Sequence, residues 1–501
     1  MGAQQSKTPA SRAQDKAADR MRKLKIQDAE SSSEMNEKSG GGLARDAQPL
    51  PLDAVSMLPS QILDDPRNRL ALSALSSANP RTVLTSQASK IANQHVFNTK
   101  IPLEGGPITN QRSSGRCWLF ASTNVFRVAI MKKYNLESFE LSQNYLYYYD
   151  KLEKANWFLE QIIDTSSEDL EGRLVQRLLD DLISDGGQWD MVYNLVEKYG
   201  LVPQALYPDS WNAKNSSILN TVLKTKLREF ALALRRAIAA DQAPGVISAM
   251  KIIYMQDVQK IMTLLLGPTP NPTEEFTWTY ADKDNKVHSQ TMTPKDFAKN
   301  ITSSNFQISS TTISDMVSLV HDPRNELMSL LTVDRLGNVV GGRNITYINV
   351  DMGTLKNACV KMIKAGLPIF FGCDVGKFSD KTSGIMDLNI FDYEVGIGTD
   401  LLGMTKEQRL RAGESLMTHA MVLTAVHLDE KTGKPVRWRV QNSWGTEDVG
   451  DKGWFVMTDE WMDEFVYQAV VDPKFLSKEV RDVLGQEPTV LPLWDPMGSL
   501  A

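Results

Sequence analysis

Only three of the 501 residues are cysteines: Cys117, Cys359 and Cys373. So sparse and odd a set cannot build a disulfide framework, so a chain of this length must hold itself together by burying apolar surface. It has the material, with 42% hydrophobic and 23% charged residues, as in ordinary water-soluble globular chains. The cysteine usage also points to a reducing compartment, expected to be the cytoplasm, with a mitochondrial pool left open. At least one thiol is free, so the surroundings of each matter.

The net charge of −6 gives no general attraction for nucleic acid. No apolar run approaches the ~18 residues of a membrane span, and the N-terminus lacks the apolar core of a secretory signal. Residues 1–50 read as a disordered tail, rich in Ser, Gly, Gln, Lys and Asp and poor in aromatic residues. The start Met1-Gly2-Ala3-Gln4-Gln5-Ser6 fits the acceptor pattern for acylation at Gly2. Residues 1–25 hold seven Lys or Arg against two Asp, which would help a single acyl chain bind a membrane weakly. A plain solvated tail is the alternative.

Apolar periodicity predicts a helix opening at or just before Cys117 and running to about Tyr134, through Trp118, Ala121, Val125, Val128 and Ala129. Further helices are expected over 141–163, 170–184, 224–240, 246–266 and 355–365. A hairpin is expected from 276–280 and 287–291 around the polar run 282–286. Beyond Pro368 the texture turns to strands, at 369–371, 419–425, 437–441 and 454–457. The chain therefore divides into a tail (1–50), a helical lobe (51–213), a mainly helical insertion (214–365), a sheet lobe (366–485) and a C-terminal arm (486–501). The fold class expected is α+β.

Residues 111–118 read Gln-Arg-Ser-Ser-Gly-Arg-Cys-Trp. Unpaired N–H groups at a helix start carry partial positive charge and lower a thiol pKa, which suits Cys117 to attack. The Gln111 amide and the Cys117 N–H can together hold an oxyanion. Taken alone, a cysteine there is more often a small buried hydrophobe. His419 begins an apolar, alternating stretch, and Asn442 follows 23 positions later in Gln-Asn-Ser-Trp-Gly. Asn442 can accept from one imidazole nitrogen and aim the other at sulfur. Trp444 can shield that bond from water, although a core Trp is the plainer reading.

Taken together, the order Gln, Cys-Trp, His, Asn-Ser-Trp-Gly resembles the papain-like peptidases, and within them the bleomycin hydrolase family of intracellular aminopeptidases. Ser142-Gln143, Tyr199-Gly200-Leu201-Val202-Pro203 and Tyr207-Pro208 also resemble family sequence, so the likeness spans about 55–501. It implies a two-lobed papain-like fold with catalytic Gln111, Cys117, His419 and Asn442, and with Gly186-Gly187 as the backbone edge that pairs with peptide substrates. Secreted relatives carry a structural cysteine three residues before the nucleophile, where this chain has Ser114. They also soon repeat Trp-Gly after Asn-Ser-Trp-Gly, where this chain has Thr446-Glu447-Asp448-Val449-Gly450.

Cys117 and His419 lie 302 residues apart, against about 130–150 in papain-type enzymes. The excess fits the helical insertion, which the resemblance implies builds a ring-like homohexamer. It also implies that the C-terminal arm enters the cleft and that the Ala501 carboxylate pairs with the substrate's α-amino group. No cofactor is required, and no Cys/His spacing suggests a metal. Cys359 and Cys373 read as core residues. Lys224, Lys226, Arg228, Arg235 and Arg236 are the densest basic group of the insertion and read as a solvated face, with nucleic-acid binding the lesser alternative. A second reading, from another class, is a membrane-tethered or nucleic-acid-binding assembly protein with a vestigial peptidase site. The presence of all four catalytic residue types argues against it.

Overall fold

The computed structural model describes residues 48–302 and 313–500, so the Gly2 acceptor, most of the basic tail and Ala501 lie outside the described residues. Contacts divide the chain into two units: one runs to Gln87 and includes Phe391–Thr405, and the other comprises Ala88–Ile390 with Lys406–Ala501.

In the smaller unit, helices α1 (Leu52–Asp64) and α2 (Pro66–Leu75) meet at Asp65. A residue before proline is pushed out of the helical region. Asp65 is extended there and caps α2 instead, accepting from Arg67 N–H at 2.8 Å with Pro66 in the first turn. Thr85 pairs with Phe391, and the Asp392 N–H donates to Leu84 O at 2.8 Å.

The larger unit is built around α3 (Cys117–Lys133). Every residue from Cys117 to Met131 is buried, the polar Ser122, Thr123, Asn124 and Arg127 among them. Its Ser122 and Thr123 hydroxyls donate back to the carbonyls of Trp118 and Leu119, each at 2.7 Å. Helix α4 (Gln143–Asp164) is capped by Ser142, and α5 (Trp189–Tyr199) ends on Gly200 at φ +77. A Cβ at Gly200 would lie 2.2 Å from Pro294 O, so the turn and the close approach both require glycine.

The helix expected over 170–184 is a correction. It spans only Arg173–Asp180. The carbonyls of Ile183 and Ser184 accept from the buried Lys151 and Lys154 ammonium groups at 2.7 and 3.1 Å, and the chain turns to meet them. Next come α6 (Ser217–Ala239) and α7 (Pro244–Leu266). Helix α6 begins seven residues before the expected start, because Leu219 and Leu223 extend its buried stripe through Leu227, Phe230 and Leu234. Pro244 opens α7 at a position where no N–H is needed.

Fourteen strands follow in chain order among the described residues: β1 (Thr99–Lys100), β2 (Phe276–Ala281), β3 (Val287–Met292), β4 (Val317–Val320), β5 (Ser329–Val333), β6 (Tyr347–Asn349), β7 (Ile369–Cys373), β8 (Ser379–Asp380), β9 (Ile385–Met386), β10 (His419–Leu428), β11 (Pro435–Gln441), β12 (Trp454–Thr458), β13 (Val466–Val471) and β14 (Thr489–Leu491). Strands β2 and β3 make the expected hairpin. The other twelve form one sheet, ordered β14-β5-β6-β4-β13-β7-β10-β11-β12-β9-β8, with β1 also on β10. Strands β7 and β13 at its middle are buried throughout, as their aromatic and β-branched residues favour.

Antiparallel register sets His419 opposite Cys373 and Ala420 opposite Gly372, and α3 packs directly on β10. Helix α8 (Met352–Lys364) also lies against β10. Among the described residues no helix is long and apolar enough to cross a membrane. Nor do any three His, Cys, Asp or Glu side chains gather there as a metal site would need.

Candidate active site

The loop leading into α3 is stitched to the loop after β11. Gln111 N–H donates to Ser443 O at 2.8 Å, and Gln111 Oε1 accepts from the Ser443 hydroxyl at 2.8 Å. Gln111 Nε2 donates one hydrogen to Ser114 O at 2.7 Å, leaving its second N–H without a partner among the described residues. Asn110 bridges to Trp444. Arg116, wholly buried, grips Asp209 with two parallel bonds of 2.8 and 2.9 Å and steadies Ser114 Oγ at 2.9 Å.

Cys117 is the first residue of α3 and is buried. The first intrahelical bonds run from Leu119 and Phe120 N–H to Arg116 O, so the Cys117 and Trp118 amides are free of that ladder. Burial pushes the thiol up to about 11, and the N–H groups of Ala420, Trp118 and Cys117 oppose it by favouring the thiolate. The Ala420 amide belongs to the residue after His419, so the thiol and the imidazole-bearing strand meet here.

His419 opens β10 and is also buried. Its Nε2 lies 2.9 Å from Asn442 Oδ1. An amide oxygen only accepts, so Nε2 carries the hydrogen and Nδ1 is the free base. Trp444 stacks on the ring, with centroids 4.8 Å apart and planes 29° apart. Burial depresses the imidazole to about 4, and the Asn442 bond works in the other direction. Desolvation alone would therefore leave both groups neutral. Moving the sulfur proton to Nδ1 makes an ion pair without changing the net charge of the site, and the amides around sulfur and Asn442 both favour that form.

Gly187 lies against Trp118. A Cβ there would stand 2.5 Å from the indole, so only glycine lets the backbone pass. Among the described residues its N–H and C=O have no partner. The Gly186 carbonyl does have one, Lys154 Nζ at 2.6 Å. The chain end arrives at the same place. After β14 pairs in parallel with β5, the Ser499 carbonyl accepts from Gln188 Nε2 at 2.9 Å and the Ser499 hydroxyl donates to Met417 O at 2.8 Å.

The structure thus gathers Gln111, Cys117, His419, Asn442, Trp444, Gly186 and Gly187, and leads the C-terminal arm to them. Sequence reasoning missed Arg116, Lys154, Asp185 and Gln188. Of these Arg116, inside the 111–118 motif, and Asp185 and Gln188, flanking Gly186-Gly187, had a motif to mark them.

The model of the peptidase C1-like family matches residues 50–498. Mouse bleomycin hydrolase is 44% identical over 455 residues, covering 90% of this chain and 98% of the mouse protein. This chain belongs to the bleomycin hydrolase family. It is a cysteine peptidase of papain-like α+β fold, as its motifs imply. Within the family, yeast "Cysteine proteinase 1, mitochondrial" (Saccharomyces cerevisiae, strain JAY291) is 41% identical over 466 residues, 92% of this chain and 94% of that protein. A crystal structure of PepW from Lactobacillus rhamnosis HN001 superposes with a TM-score of 0.85 at 38% identity, covering 90% of this chain and 99% of that one.

Proposed function

We propose that this peptidase is an aminopeptidase, removing N-terminal residues from peptides and related amides. The course of the chain end carries the reading. Ser499 is bonded beside Gly187 on one side and to Met417, two residues before His419, on the other. In this reading the Ala501 carboxylate pairs with a substrate's α-amino group, and the arm closes the cleft beyond it. A charge pair in so poorly hydrated a cleft selects substrates with a free N-terminus.

In this mechanism Cys117 Sγ, as thiolate, attacks the carbonyl carbon of the N-terminal residue while His419 holds the proton. The Cys117 N–H and the free Gln111 N–H receive the oxyanion. The imidazolium then gives its proton to the departing amine, and the C–N bond breaks to leave a thioester. Neutral His419 takes a proton from water, whose oxygen attacks the thioester; the C–S bond then breaks, releasing the N-terminal residue as its free acid and restoring the thiolate–imidazolium pair. Gly187 N–H and C=O pair with the substrate backbone.

Deleting the last three residues tests this reading. Aminopeptidase turnover should fall and internal cleavage of longer peptides should rise. An unchanged cleavage pattern would exclude the carboxylate clamp. Family likeness also supports a homohexamer, to be read as native mass by light scattering, and the N-terminal pattern supports acylation at Gly2, to be read as intact mass.

A further inference from the structure

Asp185 immediately precedes the Gly186-Gly187 edge, and its carboxylate is the meeting point of five donors. Oδ1 accepts from Lys151 Nζ at 2.6 Å and from Tyr147 Oη and Asn220 Nδ2 at 2.9 Å each. Oδ2 accepts from Gly115 N–H at 3.1 Å and from the Ser216 hydroxyl. The Asp185 backbone carbonyl accepts from Trp118 Nε1 at 2.7 Å. Burial works against its charge, but the Lys151 ammonium and the surrounding donors hold the carboxyl well below the usual range. Lys151 is itself fully buried and also donates to Ile183 O. One turn along α4, Lys154 pairs with Asp150 at 2.7 Å and holds the Ser184 and Gly186 carbonyls.

Burying two lysines and two aspartates is costly unless each is paired in good geometry. The bonds have a direction that charge balance alone does not require. One carboxylate oxygen reaches Gly115, two residues before Cys117, and the carbonyl reaches Trp118, one residue after it. The next two residues in the chain are the edge itself. The nucleophile is therefore gripped on both sides by the residue that begins the substrate edge. A side chain at position 115 would break the grip, since its Cβ would stand 2.8 Å from Asp185 Cβ.

We infer that Asp185 is a positioning residue: anchored on Lys151, it sets the distance between Cys117 and the Gly186-Gly187 edge, doing by buried hydrogen bonds what a covalent crosslink at this loop would do. The inference rests on Cys117 being the nucleophile.

The test uses two full-length variants. Gly115→Ala pushes the loop off Asp185 and leaves the Lys151 pair intact. Asp185→Asn with Lys151→Met removes the anchor as a neutral pair, so that no charge is buried alone. Each is assayed for kcat and KM on an aminoacyl amide and for alkylation of Cys117 by iodoacetamide, which needs the thiolate but not the edge. A displaced edge should lower kcat by about 10- to 100-fold, with Cys117 alkylation held within about threefold of wild type. A wild-type kcat in either folded variant overturns the inference. So does a parallel loss of turnover and selective alkylation, which a purely structural role would give. Cys117→Ala is assayed alongside: turnover by that variant would remove the nucleophile reading instead, so the two failures are distinguishable.

Discussion

Asn442 presents a single acceptor to His419 Nε2, 2.9 Å away, and this one bond decides which ring nitrogen can serve sulfur. Asn442→Ala removes it and lets the ring turn or change tautomer. Turnover should fall by about 100-fold, with KM little changed, as steady-state kinetics on an aminoacyl amide will show. The buried ring also has a consequence for stability. In Cys117→Ala no thiolate can form, and burial holds His419 at about 4, against ~6.5 in an unfolded chain. The native state then binds fewer protons than the unfolded state between those values, so the contribution is complete above about 6.5 and is lost as pH falls towards 4. The loss amounts to about 3 kcal/mol, seen as a denaturation midpoint that drops across that window. Gln111, Cys117, His419 and Asn442 were legible in the sequence because each carries chemistry in a recognisable order. The buried pairings of Asp185, Lys151 and Arg116 were not, because a charged residue that will be buried and paired looks the same in sequence as one that will be solvated.

Helices α6 and α7 show how far periodicity carries. The stripe Leu219, Leu223, Leu227, Phe230, Leu234 is fully buried or nearly so. Leu227→Ala should cost about 2–5 kcal/mol in a urea titration, whereas Lys226→Ala, which loses an exposed pair with Glu229 and a contact over the Phe230 ring, should stay within about 1 kcal/mol. In the same helix Arg228 donates to Leu179 O at 3.0 Å and Arg235 to Thr165 O at 2.7 Å, so part of the basic cluster is directed into the protein's own loops. The long helices, the 276–292 hairpin and the strands around His419 were visible because each repeats its pattern over enough residues. Strands β4, β5 and β6 were not. Three to five residues such as Val317–Val320 or Tyr347–Asn349 are too short to show a period, and their pairing with β13 and with one another is long-range. The overlong helix at 170–184 failed for a different reason: the chain leaves the helical conformation at Asp181 and runs on to where the Ile183 and Ser184 carbonyls meet lysines from α4.

Across the whole chain the decisive pairing joins residues 302 positions apart, through α3 packed on β10. The excess of that separation over other papain-type chains is what points to an insertion, while no local pattern foretold that Phe391–Thr405 joins the N-terminal segment. What matters for function is whether those distant residues work as one ion pair. The measurement is the pH dependence of Cys117 carbamidomethylation by iodoacetamide, followed by peptide mass and compared between wild type and His419→Ala. Wild-type Cys117 should react readily at neutral pH, ahead of the buried Cys359 and Cys373, and in His419→Ala the midpoint should climb towards about 11, where burial outweighs the surrounding amides. A wild-type thiol that reacts only in strong alkali, or one indifferent to the loss of the imidazole, would contradict the assignment of these two residues as the catalytic pair.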